Sequence, residues 1–326
     1  MNATQTSIRI KGPTDLLTVI PPLLGFHPSN SLVVSGLVDS RLECTFRAGL
    51  PGSTDHMEHL TDLSPQLELN NCNGCVIVAY GEKELAEASI AHAAALLDRA
   101  GIEPKDLLRV TEGRWYSLTC DKPCCPAEGL PVPETSAASC EIAIAGAYAA
   151  PNRAAIQAGL APAPTGRRAA VSRAVCDKLT EEAGLDWSGQ RSADLRAIDH
   201  WMAAKTLPGP ADIAAVGLAL GDLDIRDYAV RRISSGEFES NRIDLWIWVA
   251  RHMEEDLRAP AATVAGYAAY RSGNGVLALE CFELALRSAP NYRLAQLLMA
   301  ALQAGYPPSA LTKVGYADRE EAEVGN

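Results

Sequence analysis

Nine cysteines are the residues here whose chemistry is most open to test: Cys44, Cys72, Cys75, Cys120, Cys124, Cys125, Cys140, Cys176 and Cys281. Two form Cys72-x-x-Cys75 and three form Cys120-x-x-x-Cys124-Cys125. Thiolates at a two-residue gap can grip one ion from a single turn, and tetrahedral zinc takes four sulfur or imidazole ligands. The candidate metal ligands are therefore Cys72, Cys75, Cys120, Cys124 and Cys125, and the cofactor they would take is a structural zinc. The first pair precedes an apolar run and the second group follows one, so neighbouring strand ends would have to bring them together. Two facts oppose a single centre. A second C-x-x-C is missing, and 44 residues separate Cys75 from Cys120. A reduced, partly buried packing cluster is one competing reading. A disulfide or redox pair of Cys120 with Cys124 or Cys125 is the other.

A second constellation is the segment GFHPSNS, with His27, Ser29 and Ser31. A serine nucleophile needs a base within hydrogen-bond reach and a third group to orient that base. His27 and Ser31 are the candidate catalytic residues. On that reading the protein is a hydrolase or transferase, its site formed by the 25–31 and 120–126 loops. The competing reading is structural: Phe26 anchors a turn, Pro28 sets its φ, and Ser or Asn satisfies backbone groups. No G-x-S-x-G elbow is present. Neither G-x-x-x-x-G-K-[ST] nor G-x-G-x-x-G occurs, so no nucleotide cofactor is expected.

Other tempting residues have plainer explanations. His56 and His59, beside Asp55, Glu58 and Asp62, suit a solvated acidic helix better than a metal face. Asp15 suits a helix cap. Asp244, Trp246, Trp248, Arg251 and Glu255 share one helix, on which the two tryptophans point to different sides. His200-Trp201 reads as helix packing.

The elements that must carry these residues follow from pattern. SIRIK at 7–11 alternates like a short strand. Pro13 opens a helix over Thr14–Leu24 that Gly25 ends, with Pro21-Pro22 placed to break it early. Ser31–Asp39 and Leu42–Leu50 read as two strands around a turn. His56–Leu69 reads as helix. Cys75–Tyr80 is a buried strand, Glu82–Ala100 a helix that Gly101 stops, and Leu107–Thr111 and Trp115–Thr119 are strands. CDKPCCPAEGLPVPET holds four prolines in sixteen residues and must be a loop. Strands alternating with helices give an α/β domain with a small mixed sheet over 1–150.

From 151 to 326 the pattern is α-helical after a linker at Ala161-Pro162-Ala163-Pro164. The helices read over Asn152–Ala158, Gly166–Ala183, Ser192–Lys205, Pro210–Leu220, Ile225–Ser234, Arg242–Leu257, Ala261–Arg271, Gly275–Ser288, Tyr292–Ala304 and Ser309–Val314. Near 259–292, Gly266, Ala278, Phe282, Ala285 and Pro290 fall at the spacing of a tetratricopeptide-like helical hairpin, a unit of about 34 residues. Gly217, Ala229 and Ile233 give a fainter copy. An ordinary helical bundle explains the same residues.

Composition limits function. The 326 residues are 48% hydrophobic and 21% charged, which suits a globular protein. No apolar run approaches the roughly 18 residues of a membrane helix, so no membrane association is expected. The start, MNATQTSIRIKG, shows no signal peptide, and a cytoplasmic location is expected. There thiols stay reduced, which favours metal or redox roles over disulfides. Net charge is -11, divided as -8 over 1–150 and -3 over 151–326. Nucleic-acid binding needs clustered cations. The basic cluster Arg167, Arg168 and Arg173 reads as a solvated helix face, so no nucleic-acid partner is expected.

The segments KGPTDLLTVIPPLLGFHPSNSLVVSGL, GRWYSLTCDKPCCPAEGLPVPE and SGNGVLALECFELALRSAPNYRLAQLL together resemble the bacterial family of domains of unknown function numbered 4192. The resemblance spans residues 7 to about 314. It implies a cytoplasmic protein of high-GC Gram-positive type and carries no activity with it. The residues it implies as shared are Gly25, Phe26, Pro28, Ser31, Trp115, Cys120, Cys124, Cys125 and Pro126. The pair Cys72 and Cys75 is not part of that resemblance. The sequence reading is thus a cytosolic protein-interaction or regulatory module, its helical domain binding another protein or peptide. A hydrolase or transferase, and a thiol-ligated zinc or redox-active protein, are the alternatives.

Overall fold

A computed structural model describes residues 10–39, 41–51, 63–144, 148–182, 187–235 and 242–313. The chain divides into two compact units: Met1–Ala155 with Gly305–Pro307, and Ile156–Ala304 with Pro308–Asn326. Of the strand read over 7–11, only Ile10 and Lys11 are described, and neither is in a strand; the metal face of His56 and His59 lies outside the described residues.

The first unit opens with α1 (Pro13–Leu24). Proline is tolerated at the first helical position because that N–H lacks an intrahelical partner. The early break expected at Pro21-Pro22 does not occur. Both prolines fall in the last turn, and Gly25, left-handed at φ 80, makes the stop. Then β1 (Ser31–Val38) and β2 (Arg41–Gly49) pair antiparallel across a turn entered by Asp39 at φ 48. Of the helix read over His56–Leu69, the described part is α2 (Ser64–Leu69).

β3 (Gly74–Tyr80), α3 (Lys83–Arg99) and β4 (Glu103–Thr111) form a β-α-β crossover, and β3 and β4 run parallel. β5 (Arg114–Ser117) and β6 (Leu130–Pro131) complete a six-stranded mixed sheet in the order β2-β1-β3-β4-β5-β6. The pleat sends Leu32 and Val34 of β1, and Cys75, Ile77 and Ala79 of β3, into one core with Leu67 of α2 and Ala86, Ile90 and Leu97 of α3. A last helix, α4 (Ala137–Ile144), was not expected. Its cap is reciprocal: Ser139 N–H donates to the Ser136 hydroxyl and Ser136 N–H to the Ser139 hydroxyl. It packs on α1 through Val19, Ala138 and Ile142.

The second unit is built of helices around one large core. In chain order they are α5 (Arg153–Gly159, which starts at the end of the first unit), α6 (Thr165–Glu182), α7 (Trp187–Ala203), α8 (Pro210–Ala219), α9 (Leu223–Ser235) and α10 (Ile243–His252). A short 3-10 turn (Glu255–Leu257) follows, then α11 (Ala259–Arg271), α12 (Gly275–Ser288), α13 (Arg293–Gln303) and a 3-10 segment (Pro308–Lys313). The single helix read over Arg242–Leu257 ends at His252, because Met253 is extended at ψ 152.

α11 and α12 form a hairpin. A Cβ on Gly266 would lie 2.4 Å from the Phe282 ring, so the missing side chain is what lets the aromatic in. Gly217 of α8 makes the same room for Met253. Trp246 is fully buried, whereas half-buried Trp248 donates from Nε1 to the Pro208 carbonyl at 3.1 Å. The His200 and Trp201 rings meet edge-on at 4.9 Å.

Candidate functional site: a three-cysteine loop on the sheet rim

The loop after β5 is held in place by the strands it leaves. Asp106 of β4 accepts from the Thr119 hydroxyl at 2.9 Å and the Ser117 hydroxyl at 3.3 Å. Ser117 Oγ in turn accepts from Cys120 N–H at 3.1 Å. Cys125 N–H donates to the Lys122 carbonyl at 2.8 Å and closes a turn. At the far end, Arg114 of β5 donates to the Glu128 and Gly129 carbonyls, both at 2.8 Å. Gly129 is left-handed at φ 69, and a Cβ there would meet the Tyr116 ring at 2.6 Å and the Trp115 carbonyl at 2.9 Å. Only glycine fits this bend.

The result is convergence of sulfur. The Sγ atoms of Cys120, Cys124 and Cys125 all lie within 4.8 Å of one another, and Cys120 and Cys124 are 3.9 Å apart. The three thiols differ electrostatically. Cys120 is held below the ordinary thiol range, first by the backbone N–H of Lys122 and then by the Cys125 thiol. Cys125 is pushed up to about 12, first by desolvation and then by the neighbouring sulfurs. One thiolate-prone sulfur thus sits beside a protonated one.

The five sequence candidates fall into two groups. Cys72 and Cys75 point into the core between the sheet and α2 and α3, whereas the 120–126 loop lies on the rim. Cys72 Sγ instead lies 3.6 Å from Cys44 Sγ. Gly36 makes that contact fit, since a Cβ there would sit 2.6 Å from Cys72 Sγ and 2.8 Å from Cys44 Sγ. Burial raises the thiol pKa of Cys44 and Cys72, and pushes Cys75 up to about 12. These three therefore pack as small apolar residues. Cys44 and Asp106 are the residues that sequence reasoning missed. The alternation of β2 and β4 around them was the available signal.

The 25–31 loop is built differently. Phe26 is buried and bridges to Ala150, and exposed His27 donates its N–H to the Ala150 carbonyl at 3.0 Å. Ser31 is fully buried. Its hydroxyl donates to the Ser29 carbonyl at 2.7 Å and accepts from Arg47 Nε at 2.9 Å. The partners of Ser31 are Ser29 and Arg47 rather than His27, so the hydroxyl is committed to holding the turn. The register also corrects the idea of one site formed by the 25–31 and 120–126 loops. Ser31 is level with Tyr80, which is level with Val110 near the C-terminal end of β4. Leu118 bonds to Leu107, so Cys120 lies toward the opposite, N-terminal end of β4. The two loops sit at opposite ends of the strands.

An α/β unit with a thiol-bearing rim loop, joined in one chain to an all-helical unit, is the class that fold and site define. The chain belongs to the family described as domain of unknown function (DUF4192), whose model matches residues 13–309. No curated protein and no solved structure matches the chain. Among the described residues, no helix is long and apolar enough to cross a membrane.

Proposed function

We propose that this is a thiol-ligated zinc protein, with Cys120, Cys124 and Cys125 as the ligands. The observation that carries the reading is the convergence of three sulfurs within 4.8 Å. In a tetrahedral site with zinc–sulfur bonds of about 2.3 Å, ligand sulfurs lie about 3.8 Å apart. Cys120 and Cys124 already stand at 3.9 Å. A disulfide would need about 2.05 Å. Among the described residues no His, Asp or Glu joins the group, which leaves the fourth position to water or an outside ligand. A reducing cytoplasm, where thiols stay free, suits this chemistry.

Metal content and free thiols, measured on protein purified under reducing conditions without affinity metals, test it. About one zinc per chain with three protected thiols is the expected result for a three-thiolate site. Cys124→Ser should lose the metal, and Cys72→Ser should keep it. No metal in the wild type, with every thiol reactive after denaturation, overturns the reading. If instead mild oxidation readily joins Cys120 to Cys124 or Cys125 and no zinc binds, the loop is a redox pair.

A second reading is binding of another protein or peptide by the helical unit. What supports it is the hairpin of α11 and α12, with Gly266 and Phe282 at tetratricopeptide-like spacing. Stacked hairpins of that kind offer a concave groove. Capture of the same partner by the wild type, and its loss on substitution of groove residues, is the test.

A further inference from the structure

The second unit contains a cavity of about 310 Å³ that no sequence motif announced. Its walls come from α5, α6, α12 and the turn before α11. Three guanidinium groups line it: Arg168, Arg258 and Arg287. Two carboxylates, Glu255 and Glu280, also line it.

Arg258 is buried and fixed, donating from Nε to the Ala250 carbonyl at 3.0 Å and from Nη2 to the Met253 carbonyl at 3.3 Å. Two backbone carbonyls thus position it, while Glu255 and Glu254 are near enough to offset part of its charge. Arg168 stands 3.8 Å from Glu254 through Nη1, yet its Nε is buried with no hydrogen-bond partner. Such orphaned donors are rare because the desolvation goes uncompensated. Arg287 approaches Glu283 only at 3.8 Å and stays exposed. Burial, and next the nearby charge of Arg168, lower the proton affinity of Arg258. Arg168 and Arg258 are thus like charges held close beside an open space, and an anion there would relieve part of their repulsion. Opposite them, buried Glu280 accepts from Gln157 Nε2 at 3.1 Å.

We propose that this cavity binds a small oxyanion, a phosphate or carboxylate group, through Arg168, Arg258 and Arg287. Guanidinium suits that role because its planar fork matches two oxygens at once. The volume falls at the lower end of the range for small-molecule sites. Glu280 and Gln157 then face the rest of the ligand, and a carboxylate there favours ligands that also carry hydroxyl or amine donors.

The test is calorimetric titration of the full chain at near-physiological salt with inorganic phosphate in one arm and succinate in the other. Saturable binding in either arm is expected, and the arm that binds identifies the group. Absence of binding in both arms up to about 10 mM, a very weak affinity, overturns the proposal. Arg168→Met should weaken binding about tenfold or more, the scale of one charge-assisted hydrogen bond. Unchanged affinity overturns it. Glu280→Gln guards against a variant that merely fails to fold. It removes a negative charge from the cavity wall, so oxyanion affinity should rise severalfold, which unfolding cannot mimic. An unchanged or weakened affinity in that variant also overturns the proposal.

Discussion

A missing Cβ does as much here as any functional group. Gly36 sits where a side chain would strike Leu67, Cys72 and Cys44 at 2.5, 2.6 and 2.8 Å, and all three are fixed in or against the core. Gly36→Ala should therefore cost about 1–3 kcal/mol, the usual scale of overpacking. The shift in urea midpoint is the measurement, and a midpoint unmoved by the substitution would show that the thiol pair can part. His252 gives a residue-scale prediction in pH. It is buried, sets its ring centre 4.2 Å from that of Trp248 in a tilted arrangement, and bonds through Nδ1 to the Trp248 carbonyl at 2.8 Å. Burial is the main cause that lowers its pKa. The unfolded chain takes up this proton below about pH 6.5, while the folded chain resists it. Stability from this group is thus complete above about pH 6.5 and is lost as pH falls through the lowered folded value. Urea midpoints of the wild type should drop more steeply over this range than those of His252→Gln. Parallel curves would show that His252 does not carry the effect.

At the scale of elements, the loop of three cysteines is only as good as the bend that ends it. Gly129→Ala faces both a left-handed backbone and the Tyr116 ring, so the loop must shift. Zinc affinity should fall by about tenfold or more, the scale at which loss of a supporting shell weakens metal sites, while helix content stays constant. Zinc affinity equal to that of the wild type would separate the loop's ligands from its bend. The same loop shows what sequence could reveal. Cys75–Tyr80 was readable as a strand because its apolar run is short and bounded, and α3 because acids open it and glycine closes it. The three rim thiols were readable from spacing, since four or five residues in a proline-rich loop stay close in space. The inclusion of Cys72 and Cys75 was not resolvable by spacing, because it depends on which face of the pleat they occupy. The arginine cavity escaped for a related reason. Arg168 looks like one of three solvated cations on a helix, and only packing brings Arg258 and Arg287 near it. α4 was missed because its polar signal is two serines rather than a hydrophobic stripe.

Among the described residues, the largest core of the first unit lies against the sheet and that of the second lies among the helices. The proposed zinc lies in the first unit and the proposed oxyanion in the second, so each ligand should stabilise a different core. A ligand that binds only the folded state adds about 2.7 kcal/mol at a hundredfold excess over its dissociation constant. For units of this size that corresponds to a rise of several degrees, at roughly 2–4 °C per kcal/mol. The tryptophans can tell the units apart. Of the five, Trp115 is in the first unit, and Trp187, Trp201, Trp246 and Trp248 are in the second. Fluorescence melting of Trp115→Phe therefore follows the helical unit alone. Phosphate or succinate, whichever binds, should raise that melting temperature, and zinc chelation should leave it unmoved while lowering a calorimetric transition of the same sample. A chelator that shifted the fluorescence melt as far as the calorimetric one would mean that the two cores unfold as one cooperative body. A melt that ignored the oxyanion while calorimetry registered binding would place the anion outside the helical unit, and so outside the Arg168 cavity.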